Sequence, residues 1–166
     1  MAISADDVKR LREETGAGML DCKKALEEAK GDFEKAKQVL KKKGFEAAAK
    51  REERETAEGL IISYIHHNNR FGVLLEINCE TDFVARTDDF KELAEKIAKH
   101  IVGAAPIYLS EDEVKDGEDP KEVALLSQPY LQDESVTIGD MIKEASGKTG
   151  ENIRVRRFAR FELGVK

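Results

Sequence analysis

The sequence predicts an α+β protein: a knot of short helices first, then an antiparallel sheet covered by helices. Three observations predict it. The opening segment repeats a helical apolar spacing and is broken by Gly16, Gly18, Gly31 and Gly44. Residues 60–67 and 71–79 alternate apolar side chains with the period of two that a strand imposes. Residues 88–102 place Phe90, Leu93, Ala94, Ile97, Ala98, Ile101 and Val102 on one helical stripe.

Ser4 precedes Asp6 and Asp7, which suits a helix start because a hydroxyl satisfies free amides and acids suit the positive end of the dipole. Val8 and Leu11 share a face until Thr15-Gly16-Ala17-Gly18 ends the segment. A second helix carries Leu20, Lys23, Ala25, Leu26 and Ala29 and stops at Gly31. Asp32 caps a third, with Phe33, Ala36, Val39 and Leu40 on one stripe and a stop at Gly44. A core this small is marginal alone. Residues 45–58 are rich in Ala, Glu, Lys and Arg, with Phe45 nearly the only large apolar group, so a solvated connecting helix is expected there. The division follows: a three-helix unit at 1–44, a connecting helix at 45–58 and an α+β core at 59–166.

Within the core, His67-Asn68-Asn69-Arg70 supplies turn residues between the first two strands, which predicts a hairpin. Ile61 and Ile62 make both faces of the first strand apolar. Residues 106–109 read as a short extended piece and 110–120 as an acidic loop with a helical turn. Helices are expected at 121–126 and 138–145, separated by an irregular Gln128-Pro129-Tyr130. Residues 152–163 read as a third strand, and Arg157 interrupts its apolar phase, which predicts a bulge or an exposed edge.

Composition excludes several functions. A formal net charge of -6 with 37% charged residues argues against general nucleic-acid binding, which neutralises phosphates with Lys and Arg. No apolar run approaches the roughly 18 residues that span a bilayer. The start, from Met1 to Asp7, has neither the basic flank nor the apolar core of a leader, so a cytoplasmic location is expected. Cys22 and Cys79 lie in separate segments without a CxxC and read as buried thiols. His66 and His67 lack a third ligand at metal spacing and read as turn histidines. Gly16-Ala17-Gly18 has no preceding strand and no following Lys-Ser or Lys-Thr, so it is a turn between helices and not a phosphate loop. Lys41-Lys42-Lys43 reads as a solvated helix end, and Arg154, Arg156 and Arg160 as surface charge on one strand face. No nucleophile, base and orienter stand together, so neither an enzyme nor a cofactor or metal site is expected.

The stretch from Cys79 to Arg86 is the most informative. An aromatic, Phe83, and a carboxylate, Asp82, sit side by side at a strand-to-helix corner. Corners lie on the surface, so this pair can enter another protein's pocket and disturb a cation there. The plainer alternative is a Thr81 helix cap followed by Phe83 as the first core residue.

Several motifs together resemble bacterial elongation factor Ts. Residues 11–26, with Thr15-Gly16-Ala17-Gly18-Met19-Leu20-Asp21 at their centre, resemble that family's opening domain. Asn78-Cys79-Glu80-Thr81-Asp82-Phe83-Val84-Ala85 is similar to its second signature. Ser127-Gln128-Pro129-Tyr130-Leu131, residues 137–144 and residues 151–157 resemble parts of its core. The resemblance implies a ubiquitin-associated-like three-helix unit that docks on the GTPase elongation factor Tu. It implies guanine-nucleotide exchange in translation elongation, with Thr81, Asp82, Phe83 and Val84 as the loop that dislocates magnesium. Arg12, Gly16, Met19 and Leu20 are the matching partner-binding candidates. A peptide-binding adaptor built on the opening unit, without exchange activity, is the alternative. Longer family members have two core subdomains and a coiled-coil hairpin, and this chain has room for one subdomain. A homodimer, with a second copy in place of the missing subdomain, is therefore expected.

Overall fold

A computed structural model describes residues 3–165; Met1 and Ala2, which open the stretch read as lacking a leader, and Lys166 lie outside the described residues. Helix α1 (Ala5–Thr15) starts at Ser4, whose hydroxyl accepts from the Asp7 N–H while the Asp7 carboxylate accepts from the Ser4 N–H. Gly16 ends it at φ 68°, a left-handed conformation that L side chains adopt only at a cost. Helices α2 (Met19–Glu28) and α3 (Phe33–Ala49) follow, the latter capped by Asp32 as expected. Val8, Leu11, Cys22, Ala25, Leu26 and Ala36 bury one another in a first small core.

Helix α3 departs from expectation. It does not stop at Gly44 but runs to Ala49, so the separate connecting helix expected over 45–58 is instead the end of α3, then turns at residues 50–53. Gly44 is a contact rather than a terminator. A Cβ added at Gly147 would sit 3.0 Å from the Gly44 Cα, so the two helix backbones meet there. Helix packing outweighs the roughly 1 kcal/mol that an interior glycine costs a helix.

Strands β1 (Glu58–Ile65) and β2 (Phe71–Cys79) form the expected hairpin. The corner helix α4 (Asp82–Ala85) and the long α5 (Asp88–Ala104) come next. Phe90, Leu93, Ala94, Ile97, Ala98 and Ile101 of α5 pack on Val73, Leu75 and Ile77 of β2 in the main core. The helix expected at 121–126 is shorter: α6 (Pro120–Val123) ends where Ala124 turns extended and bridges Tyr108, and a 3-10 turn follows. The irregular stretch at Gln128-Pro129-Tyr130 is in fact part of a small hairpin, β3 (Pro129–Tyr130) with β4 (Asp133–Thr137). A two-residue β3 and a mostly exposed β4 leave no apolar alternation to be legible. Helix α7 (Ile138–Thr149) is longer than expected and closes on Gly150 at φ 74°.

Strand β5 (Arg154–Glu162) completes a sheet of order β1-β2-β5, antiparallel throughout. Glu76 faces Arg157 while Ile77 faces Val155, so Arg156 is the extra residue of a bulge. Both readings of Arg157 hold, since β5 is also an edge strand. Helices cover one sheet face. The other presents Ile61 and Ile65 of β1, Leu74 of β2 and Phe161 of β5, all at least half exposed.

Beneath β3, the imidazole of His100 is 1% exposed. Its Nδ1 accepts from the Leu131 N–H at 3.4 Å, so Nε2 carries the proton and donates to Gln128 Oε1 at 3.0 Å. Burial holds His100 below its ordinary pKa. The unfolded chain therefore takes up a proton near pH 6.5 that the folded chain resists, and stability present above that pH is lost as pH falls through it. The thermal midpoint is expected to drop between about pH 7.5 and pH 5, and His100→Gln is expected to flatten that drop; an equally steep drop in the variant would contradict this assignment.

Candidate functional site

The corner after β2 carries the candidate loop. Thr81 caps α4: its Oγ1 accepts from the Val84 N–H at 3.4 Å. The cap holds as the plain reading expected, but its companion fails, because Phe83 is 80% exposed. Val84 packs against the main core and Ala85 is buried, so the turn is anchored on one side and presents Phe83 on the other. Asp82 pairs with Arg86 at 2.9 Å, both partly exposed. Exposed pairs of this kind contribute about 0–1 kcal/mol, so Asp82 can exchange its partner cheaply.

The corner is tied to residues 151 and 152, a segment that resembles the family but carries no local sign that it would meet the corner. The Glu80 and Thr81 N–H groups both donate to Glu151 Oε2 at 3.1 Å, and the Thr81 hydroxyl donates to Glu151 Oε1 at 2.5 Å. In return the Asn152 N–H donates to Glu80 Oε1 at 2.6 Å. The buried Asn152 amide donates to the carbonyls of Glu52 and Arg54, and Arg54 reaches Glu80 at 3.4 Å. A pairing between segments about seventy residues apart leaves no local signal of spacing or periodicity.

Arg12, Gly16, Met19 and Leu20 are all exposed, Met19 and Leu20 as large apolar groups at 48% and 64%. Their surface and the corner are both referenced to one end of α7. A Cβ added at Gly16 would lie 3.9 Å from the Lys148 side chain. Glu151, just beyond the Gly150 cap of the same helix, holds Thr81. A groove of about 540 Å³ between the opening helices and α7 is lined by Gly16, Gly18, Asp21, Lys41, Arg51 and Lys148 among others.

The remaining groups are accounted for. Cys22 and Cys79 are both buried, as expected. Burial, then the Glu151 carboxylate, pushes the Cys79 thiol up to about 11, which leaves it a poor nucleophile. Arg156 and Arg157 face Glu76 at 3.8 and 2.7 Å, and Arg160 pairs with Glu162 and the Val102 carbonyl, so much of the basic strand face is engaged within the chain. Among the described residues there is no cluster of metal-ligating side chains, and no helix is long and apolar enough to cross a membrane.

Comparison with known proteins gives a consistent picture. The family model described as elongation factor TS matches residues 23–118. The chain is 52% identical to elongation factor Ts of Fervidobacterium nodosum, across 99% of this chain and 100% of the relative. It is 48% identical to that of Coprothermobacter proteolyticus, across 99% and 100%, and 47% identical to that of Thermotoga maritima, across 99% and 98%. The first alignment runs over 196 positions against 166 residues here, so that relative carries a stretch without a counterpart in this chain.

Because its ring is 80% exposed, Phe83→Ala is expected to leave the free energy of unfolding, measured by urea titration, within about 0.5 kcal/mol of the parent. Phe90→Ala, at a core position, is expected to cost about 3–5 kcal/mol in the same urea titration. A large loss in the first variant would place Phe83 in the fold rather than on its surface.

Proposed function

The chain belongs to the elongation factor Ts family, the guanine-nucleotide exchange factors of elongation factor Tu in translation elongation, and we propose that Phe83 and Asp82 are the groups with which it expels GDP. Exchange makes and breaks no covalent bond. The observation that carries the reading is an aromatic ring 80% exposed at a corner whose backbone is fixed on its inner side. A ring held out in this way is an apolar wedge. Entering the GTPase, it repacks the elements that position the phosphate-binding amides, while Asp82 competes for donors or for the magnesium ion.

The energetics bound what the wedge does. A factor that weakens GDP binding by some ratio is itself weakened by GDP in the same ratio. Each tenfold needs about 1.4 kcal/mol of differential contact. Burying one Phe contributes roughly 1.5–3 kcal/mol, which corresponds to about ten- to a hundredfold. The rest comes from a wider interface, for which Arg12, Gly16, Met19 and Leu20 are the exposed groups of the opening helices.

The uncovered sheet face supports a homodimer. Ile61, Ile65, Leu74 and Phe161 stand on one surface beside the internally paired Glu76 and Arg157. An apolar patch with its charges already neutralised is complementary to itself, as a two-fold interface requires. The occupant proposed is a second copy of this chain.

Release of fluorescent GDP from elongation factor Tu tests the first reading. The parent is expected to accelerate release, and Phe83→Ala to lose about ten- to a hundredfold of that acceleration. No acceleration by the parent would refute exchange, and full activity in the variant would exclude the wedge. For the second, light scattering at micromolar concentration is expected to give twice the chain mass, reduced to one chain by Phe161→Glu; a monomeric parent would refute the dimer.

A further inference from the structure

We propose that Glu151 is the positioning residue of the exchange corner, setting where Phe83 points without touching the partner. The inference rests on the wedge reading above and adds a residue to it.

Three donors converge on this one carboxylate, and all come from two consecutive residues. Oε2 takes the Glu80 and Thr81 N–H groups, both at 3.1 Å, and Oε1 takes the Thr81 hydroxyl at 2.5 Å. These amides lie where β2 has ended and α4 has not begun, so neither the sheet ladder nor the helix supplies them an acceptor. Hydrogen bonds to an ionised acceptor are the stronger kind, and three on one group fix a direction as well as a distance.

Thr81 passes that constraint on. Its hydroxyl donates to Glu151 while its oxygen accepts from the Val84 N–H, so one atom joins the carboxylate to the first turn of α4. Phe83 stands inside that turn 80% exposed, so the turn's backbone sets where the ring leaves the surface, and that backbone is held by Glu151 together with Val84 and Ala85 in the core.

Glu151 is itself held. Its carbonyl accepts from the buried Ser146 hydroxyl at 2.5 Å, and its own N–H donates to Thr149 Oγ1 at 3.3 Å. Both anchors belong to the last turns of α7. The neighbouring Asn152 closes the circuit by donating to Glu80 and to the carbonyls of Glu52 and Arg54. The corner is thus fastened to the helix end that also meets Gly16 through Lys148. Misplacing a reacting group by a small fraction of a residue's width can lower a rate by orders of magnitude, and a wedge is subject to the same geometry.

The test is release of fluorescent GDP from elongation factor Tu at varied concentrations of the full chain, as parent, Glu151→Ala, Glu151→Gln, Phe83→Ala and the Glu151→Ala/Phe83→Ala double variant. Glu151→Ala is expected to lower the saturating release rate about tenfold while the half-saturating concentration stays within about twofold, because the docking residues of the opening helices are untouched. Glu151→Gln is expected to stay within about threefold of the parent, since its carbonyl can accept the two amides and its NH2 can donate to the Thr81 oxygen. The double variant is expected to be no slower than Phe83→Ala alone, because misdirecting an absent ring has no further effect. A parental rate in Glu151→Ala, or a double variant slowed by the product of the single effects, would overturn the proposal as a general lesion of the fold would. If Phe83→Ala runs at the parental rate, the wedge reading itself fails, and this inference with it. Should Glu151→Ala not fold, Thr81→Val removes the donor at the other end of the same hydrogen bond and is read against the same outcomes.

Discussion

The close approach of α3 and α7 at Gly44 and Gly147 is the constraint on which the rest of the molecule depends. With no side chain on either helix at the crossing, the two backbones pack directly. That contact joins the small core of the opening helices to the main core beneath the sheet, and it does so along a helix that runs without a break from Phe33 to Ala49. The opening helices have a small core, which is marginal alone, and the α3–α7 contact adds to it.

The same helix end serves both exposed surfaces. On one side Lys148 lies against the Gly16 turn, and Met19 and Leu20 follow that turn into solvent. On the other, Glu151 gathers the amides of the corner that presents Phe83. Both surfaces are referenced to one helix end, so the docking and prying groups of the proposed mechanism would keep a fixed separation. The chain's two thiols are buried, and burial raises the pKa of both.

The exposed apolar groups divide by their surroundings. Phe83 stands on a turn whose inner side is anchored, so it extends as a single protrusion. Ile61, Ile65, Leu74 and Phe161 lie flat across three strands, next to charges already paired within the sheet. The proposed wedge draws on the protrusion and the proposed dimer on the flat face.

Local sequence determined a large share of this. The caps at Ser4, Asp32 and Thr81, the β1–β2 hairpin and the stripe of α5 each follow from residues within a turn or two of one another, and nearest-neighbour physics suffices for them, whereas local sequence left open whether Phe83 faces the core or the solvent. Tertiary structure decided what nearest neighbours cannot. It turned Gly44 from a stop into a crossing, drew Pro129 and Tyr130 into a hairpin, and placed Glu151 under Thr81 across the length of the core. The physical reason is the same in each case. A backbone contact or a hydrogen bond between distant segments exists only once packing has brought them together, and it leaves no period, cap or turn residue in the chain to announce it.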